Sequence, residues 1–214
     1  MSYSVKEIYL TVQGEGVQTG LPAVFLRFAG CNLWSGLERD RETAVCKFCD
    51  TDFIGTDGPG GGRFESADAL VAAVLSYWPD TGSHKKTPPW VVCTGGEPLL
   101  QLDAPLIACF HAHGFKIAIE TNGTIKAPQG IDWLCVSPKA DAPLLQKNGD
   151  ELKLVYPQNE NHPSDFEDLA FENFSLQPLD DSNQMKHAKA AFAYCLKHPK
   201  WRLSLQTHKW IGVD

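Results

Sequence analysis

Short runs that are apolar at successive positions, rather than at every second one, constrain this fold most. They occur at Ala23 to Ala29, Trp90 to Cys93, Lys116 to Ile119, Trp133 to Val136, Leu152 to Tyr156, Phe174 to Leu176 and Arg202 to Leu205. A strand is apolar on both faces only where both faces are covered, as in a mainly parallel sheet. Helical patterns lie between the runs. Ser66 to Trp78 has Ser66 as N-cap and Leu70, Val71, Val74, Leu75 and Trp78 on one side; Ala104 to His113 is closed by Gly114; Asn183 to His198 is closed by Pro199. Strand and helix therefore alternate, and such a sheet carries its chemistry at the C-terminal ends of its strands. A full eight-fold barrel takes about 250 residues. The 214 here predict an α/β fold, an abridged and partly open (β/α) barrel with a mainly parallel sheet, in one domain spanning 1–214. The turn-rich stretches 56–62 and 82–89 read as exposed connections, and no internal repeat is present.

Hydrophobic residues make up 43% of the chain and charged residues 21%, a balance that argues against a disordered or fibrous polymer. Nineteen basic against 26 acidic residues give a net charge of -7 with no basic face, so direct binding to nucleic acid is not expected. The opening Met1 to Glu7 lacks the charged start and apolar run of a signal peptide, and no apolar stretch is long enough to span a bilayer. A cytoplasmic location without membrane contact is the expectation. Seven cysteines, odd in number and not densely spaced, read as reduced thiols, some of them metal ligands.

Cys31 follows the first long apolar run, and Cys46 and Cys49 follow after fourteen intervening residues. A Cys-x-x-Cys turn directs both sulfurs to one centre, and the third thiol can arrive from any distance the loop permits. Three ligands are one fewer than a closed structural zinc site or electron-transfer cluster holds, so an iron left without a protein sulfur can take an exogenous donor. On spacing alone, a zinc site completed by His84 or His111, or three unrelated thiols, stands equally open. A second motif, Val91-Val92-Cys93-Thr94-Gly95-Gly96-Glu97-Pro98, is a buried strand running into two glycines. Their backbone can approach a ligand closely because no side chain intervenes, and Glu97 would reinforce binding of a positive amino group.

A cysteine triad after the first barrel strand, followed by a strand ending in Gly-Gly-Glu-Pro, resembles the radical S-adenosylmethionine superfamily. The resemblance implies that Cys31, Cys46 and Cys49 hold a four-iron four-sulfur (4Fe-4S) cluster whose open iron is completed by S-adenosylmethionine. The fourteen-residue interval departs from the usual three; a longer loop adds only a modest, logarithmic closure cost. Ile8-Tyr9-Leu10-Thr11-Val12-Gln13-Gly14-Glu15-Gly16 is similar to the opening of 7-carboxy-7-deazaguanine synthases, a family in which some members share the extended interval. Read from the residues alone, this segment is an edge strand and turn with a solvated Glu15.

The family resemblance extends over nearly the whole chain and implies site residues one by one. Val12, Gln13, Gly14, Glu15, Arg27, Thr94, His208 and the terminal Asp214 would contact a pterin substrate, although members commonly finish with proline. Phe48, Cys49, Asp50, Gly95, Gly96, Glu97, Ser137-Pro138-Lys139 and Gln177-Pro178-Leu179-Asp180 would line the S-adenosylmethionine pocket, and Thr51 would bind Mg2+. Glu120-Thr121-Asn122-Gly123 ranks lower, as a support for either ligand. Arg27 inside an apolar run needs a partner because an unpaired buried guanidinium is costly; that partner is a substrate carboxylate or a structural salt bridge. Cys93, Cys109, Cys135 and Cys195 read as small core residues.

The implied reaction converts 6-carboxy-5,6,7,8-tetrahydropterin to 7-carboxy-7-deazaguanine with release of ammonia, in queuosine and deazapurine biosynthesis. A flavodoxin or ferredoxin-type reductant and a homodimer come with the resemblance. Two rivals stay open at this point: an activase that installs a glycyl radical on a protein partner, and a non-catalytic zinc-binding adaptor.

Overall fold

A computed structural model describes residues 2–79 and 88–213. The expectations for Asp214, for His84 and for most of the 82–89 connection fall outside the described residues. In chain order the elements are β1 Tyr3–Val12, β2 Pro22–Phe28, β3 Gly62–Phe64, α1 Ala67–Tyr77, β4 Trp90–Gly95, α2 Ala104–Ala112, β5 Lys116–Thr121, β6 Trp133–Val136, β7 Asn148–Tyr156, β8 Ala170–Pro178, α3 Gln184–Lys197, β9 Trp201–Leu203 and α4 Thr207–Ile211. The strands form one sheet in the order β3-β1-β2-β4-β5-β6-β7-β8-β9. Every pairing from β2 to β9 is parallel, and β1 joins β2 and β3 antiparallel.

The seven apolar runs are the seven parallel strands, and the three helical patterns are α1, α2 and α3. No α-helix covers the crossovers β5 to β6, β6 to β7 or β7 to β8 among the described residues; the last carries only a 3-10 turn at Pro163–Phe166. Omitting these helices shortens the chain and leaves a mixed α/β architecture with an open, mostly parallel sheet.

One face of the sheet is the core. Val24, Leu26 and Phe28 of β2, Val91 and Cys93 of β4, and Ile117 and Ile119 of β5 pack against Leu70, Val71 and Val74 of α1 and Leu106, Ile107 and Phe110 of α2. A second cluster joins Leu152, Leu154, Phe174 and Leu176 to Ala191 of α3 and Trp201. Side chains alternate across a strand, so the opposite face carries Phe25, Val92 and Ala118 and then, further along the same strands, Arg27, Thr94 and Glu120. The inner face thus turns from apolar to polar toward the strand C-termini.

Helix starts follow the expected chemistry. Ser66 Oγ accepts from the Ala69 amide at 3.1 Å, and Asp103 Oδ1 accepts from the Leu106 amide at 3.0 Å and from the Tyr3 hydroxyl at 2.8 Å. Asp103 therefore ties α2 to β1. Cys93 and Cys135 are buried as expected, whereas Cys109 and Cys195 are only partly so, because they sit on the flanks of helices that cover the sheet with other positions. Strand β1 extends well beyond the segment singled out by resemblance. A bulge between Val5 and Glu7 makes Val5 and Lys6 both buried, which breaks the two-residue period that would have revealed it. Asp103→Ala should lower stability by about 1–2 kcal/mol in urea unfolding, since it removes both the α2 cap and the acceptor of Tyr3.

Candidate active site

The loops at the C-terminal ends of the parallel strands enclose a cavity of about 460 Å3, a size suited to a small-molecule ligand. The two sequence motifs meet beside it. Gly30 leaves β2 with φ +90° and its carbonyl accepts from the Glu97 amide at 3.0 Å. A Cβ on Gly96 would lie 2.1 Å from the Gly30 oxygen and 2.7 Å from the Cys31 Cβ, so only glycine lets the β4 loop abut the cysteine loop. Gly95 is similar, with φ +127° and a Cβ position 2.2 Å from the Phe28 oxygen.

The insert between Cys31 and Cys46 is an excursion closed at its base. Val45 and Cys46 donate to the Leu33 carbonyl at 3.1 and 3.3 Å, which returns Cys46 to the site. All three thiols are free. Burial pushes the Cys31 and Cys46 thiols up; each is raised further by Cys49, and Cys46 also by Cys31, while Lys139 pulls Cys46 down. The sulfurs are thus within electrostatic reach of one another. Yet no three Cys, His, Asp or Glu side chains among the described residues converge on a single ion position, as a zinc ion with about 2.3 Å bonds to sulfur would need.

Glu97 is placed differently from the expectation that it meets an ammonium group. It is 0% exposed and does not line the cavity. Its Oε1 accepts from Leu99 N at 3.0 Å and Thr121 Oγ1 at 2.8 Å, and its Oε2 from Asn122 N at 2.8 Å. Burial pushes its carboxyl up, and these three donors oppose that. Glu97 clamps the ends of β4 and β5, and the two glycines alone present backbone to the cavity. Cys31 and Pro138 are also outside the lining, whereas Cys46, Phe48, Cys49, Asp50, Thr51, Thr94, Gly95, Gly96, Ser137, Lys139 and Gln177 to Asp180 are on it. Lys139 Nζ donates to Ser137 Oγ at 2.6 Å.

At the β1–β2 end, Val12, Gln13, Gly14, Glu15 and Arg27 line the wall. Arg27 Nε donates to Glu7 Oε1 at 2.7 Å and Nη2 to the Tyr9 hydroxyl at 2.8 Å. Both alternatives for Arg27 are therefore accommodated: an ion pair holds it, and of its five N–H groups those beyond the two used remain for a ligand.

Gln13 and Glu15 also belong to an ion network that only partly registered in the sequence. Lys153 Nζ is 2.7 Å from Glu15 Oε2 and 2.9 Å from Glu120 Oε2, Gln13 Nε2 donates to Glu120 Oε1 at 3.2 Å, and Gln206 Nε2 donates to Glu15 Oε1 at 2.9 Å. Burial alone would raise Glu15, but the charge and hydrogen bonds of Lys153 and Gln206 hold it well below the usual carboxylate range, at about 2. Burial pushes Glu120 up against the pull of Lys153. Glu15 is partly buried and ion-paired, where the plain edge-strand reading had it solvated. Lys153 interrupts the apolar run Leu152 to Tyr156 just as Arg27 interrupts its own, so the same signal could have found it. Gln206 had no such signal.

The chain's end completes the cavity. Thr207 N and Oγ1 donate to the Gly14 carbonyl at 2.9 and 3.0 Å, and a Cβ on Gly14 would stand 2.0 Å from His208 Nδ1, so glycine makes room for the imidazole. Lys209 Nζ pairs with Asp50 at 2.6 Å and with Asp180. Gln206 Oε1 is buried with no hydrogen-bond partner among the described residues.

Lys153→Met should cost about 3–5 kcal/mol, the penalty for leaving buried carboxylates without their counter-ion. In the parent, a Glu15 held near 2 against about 4.3 unfolded contributes stability above pH ~4.3 that is lost as the pH falls toward 2. In Lys153→Met the carboxyls are raised instead, so stability should increase as the pH is lowered from 7 to about 5, and urea unfolding across that range reads the slope.

No family model matches the chain. It is 61% identical over 213 residues to 7-carboxy-7-deazaguanine synthase of Caulobacter vibrioides and 56% identical over 213 residues to that of Burkholderia multivorans, each covering 100% of both chains. Identity to the Haemophilus influenzae synthase is 30% over 228 residues, covering 100% of this chain and 95% of that one. Among solved structures, QueE from Escherichia coli matches with a TM-score of 0.65 and 25% identity, over 97% of this chain and 95% of that chain. With one name carried by relatives matched end to end, and the cysteine loop, the double glycine and the amino-terminal Gln-Gly-Glu gathered around one cavity, the chain belongs to the 7-carboxy-7-deazaguanine synthase family of radical S-adenosylmethionine enzymes.

Proposed function

We infer that this cavity contracts the ring of 6-carboxy-5,6,7,8-tetrahydropterin to give 7-carboxy-7-deazaguanine and ammonia, a step in queuosine and other deazapurine synthesis. The observation that carries the reading is the contact between Gly96 and Cys31, which joins a three-thiol loop to a ligand cavity. Cys31, Cys46 and Cys49 would hold the 4Fe-4S cluster, which with S-adenosylmethionine would supply hydrogen-atom abstraction chemistry. A glycyl-radical activase or a zinc adaptor gives way to the family membership.

The remaining steps fall to this chain's own residues. Gly95 and Gly96 offer backbone groups to the amino acid end of S-adenosylmethionine, Lys139 a charge to its carboxylate, and Phe48, Asp50, Ser137, Gln177, Leu179 and Asp180 the rest of that pocket. Arg27 would take the substrate carboxylate in parallel hydrogen bonds, with Thr94 beside it. Gln13, Glu15 and the unpaired Gln206 Oε1 match the alternating donors and acceptors of a pterin edge. His208 would cover the substrate, and Asp214 would contact it as the resemblance implies. Thr51 adds a hard oxygen suited to Mg2+, with substrate and water completing the shell. The tail excludes water from the reacting centre. A flavodoxin or ferredoxin-type reductant, a homodimer and a cytoplasmic setting belong to the same proposal.

Anaerobically reconstituted, reduced protein given the tetrahydropterin should release a deazapurine and ammonia without net consumption of S-adenosylmethionine. No turnover despite an intact cluster would overturn the substrate assignment. Each of Cys31→Ala, Cys46→Ala and Cys49→Ala should abolish turnover. Arg27→Met should lower kcat/KM roughly 10- to 150-fold, as expected for losing charged hydrogen bonds of about 1.5–3 kcal/mol.

A further inference from the structure

The insert between Cys31 and Cys46 does more than close a loop. Its 3-10 turn, Glu38–Thr43, buries none of its residues, so the hydrophobic core does not account for it. It carries Arg41, whose guanidinium is held from three sides. Nε donates to Glu38 Oε1 and Oε2 at 2.9 and 2.7 Å. The Arg41 Cζ stands 4.1 Å from the centre of the Trp34 ring, and that ring meets Phe53 edge-on at 5.6 Å. Nη1 donates to the carbonyls of Lys47 and Cys49 at 3.0 and 3.1 Å. Its neighbour Arg39 is 80% exposed and, among the described residues, pairs only with Asp40 at 3.7 Å.

The two carbonyls belong to the peptides on either side of Phe48 and Cys49. In a planar trans peptide the C=O and N–H point in opposite directions, so a carbonyl drawn out toward Arg41 turns the next N–H inward. Burial pushes the Cys46 thiol up, and the first of these amides, that of Phe48, opposes that rise. From Cys46 to Asp50 the chain forms no helix or strand that would impose this orientation. A planar fork can grip two carbonyls while stacked on an indole, which a lysine cannot reproduce.

We propose that Arg41 is a positioning residue for the iron–sulfur centre: it clamps the Cys46–Cys49 turn so that the amides of Phe48 and Asp50 face the sulfurs. This rests on the three thiols being cluster ligands. Amide hydrogen bonds to the sulfurs, and a nearby cation, stabilise the more negative reduced cluster and raise its reduction potential. The insert would thus make the cluster easier to reduce.

Three readouts test the clamp on the full chain: amide hydrogen exchange at 47–50 in metal-free protein, iron and sulfide per chain after anaerobic reconstitution, and the midpoint potential from an EPR-monitored titration. Arg41→Met should exchange these amides roughly tenfold faster or more, lose cluster faster in air and titrate at a lower potential. Arg41→Lys should fall between Met and the parent, and Arg39→Met should match the parent. An Arg41→Met protein equal to the parent in exchange, cluster retention and potential overturns the proposal. Should Arg41→Met fail to fold, Arg41→Lys decides: a lowered potential supports the clamp and a parental one overturns it. If the parent itself takes up no iron, the cluster reading fails, and exchange in the metal-free protein still tests whether Arg41 orders the turn.

Discussion

Seven strands running in one direction place seven C-terminal ends along one rim, and the site is a consequence of that. Residues far apart in sequence reach it because each strand delivers its following loop to the same edge. The core face is apolar along its length, which fixes which side chains face the other way. On that other face the side chains are Phe25, Val92 and Ala118 low down and Arg27, Thr94 and Glu120 near the rim. Glu97 then draws the ends of β4 and β5 together through Thr121 and Asn122. Gly96 allows the cysteine loop to lie against them.

Two groups of charges face the cavity. Arg27 with Glu7 and Tyr9 presents a cation with spare donors, whereas Lys153 is shared by Glu15 and Glu120 and leaves an excess of carboxylate. A ligand that carries both an anionic group and N–H donors is complementary to these charges, as a carboxylated pterin is. Closure at the carboxy terminus rests on polar contacts, those of Thr207 with Gly14 and of Lys209 with Asp50 and Asp180. Trp210 and Ile211 of the same segment are 72% and 67% exposed. Little apolar burial holds the tail down, so it belongs to the low-stability end of the structure, from which elements that open for ligands are drawn.

The parallel sheet was legible because continuous apolar runs need cover on both faces, and Ser66, Gly114 and Pro199 marked helix ends with local chemistry. Strand β1 was obscured by its bulge, and α4 is too short for a helical period to show. Arg27 stood out as a charge inside an apolar run; its partners Glu7 and Tyr9 did not, because pairing across strands depends on register. Lys153 carried the same signal as Arg27, and its role emerges only once the loop after β1 brings Glu15 to β7. The Gly-Gly-Glu-Pro motif pointed to the site, but not to the inward turn of Glu97, since the Thr121 hydroxyl and the Asn122 amide that engage it come from the end of β5 and the residue after it. Arg41 looked like one charge among several in a polar insert; only its stacking on Trp34 and its two carbonyl partners distinguish it from Arg39.

The central claim is that three protein thiolates hold a cluster with one iron open to S-adenosylmethionine. EPR spectra of the reduced, anaerobically reconstituted protein, recorded with and without S-adenosylmethionine, test it most directly. The account predicts a single 4Fe-4S signal whose shape changes when S-adenosylmethionine is added. A protein that binds one zinc, or a cluster signal indifferent to S-adenosylmethionine, would contradict it.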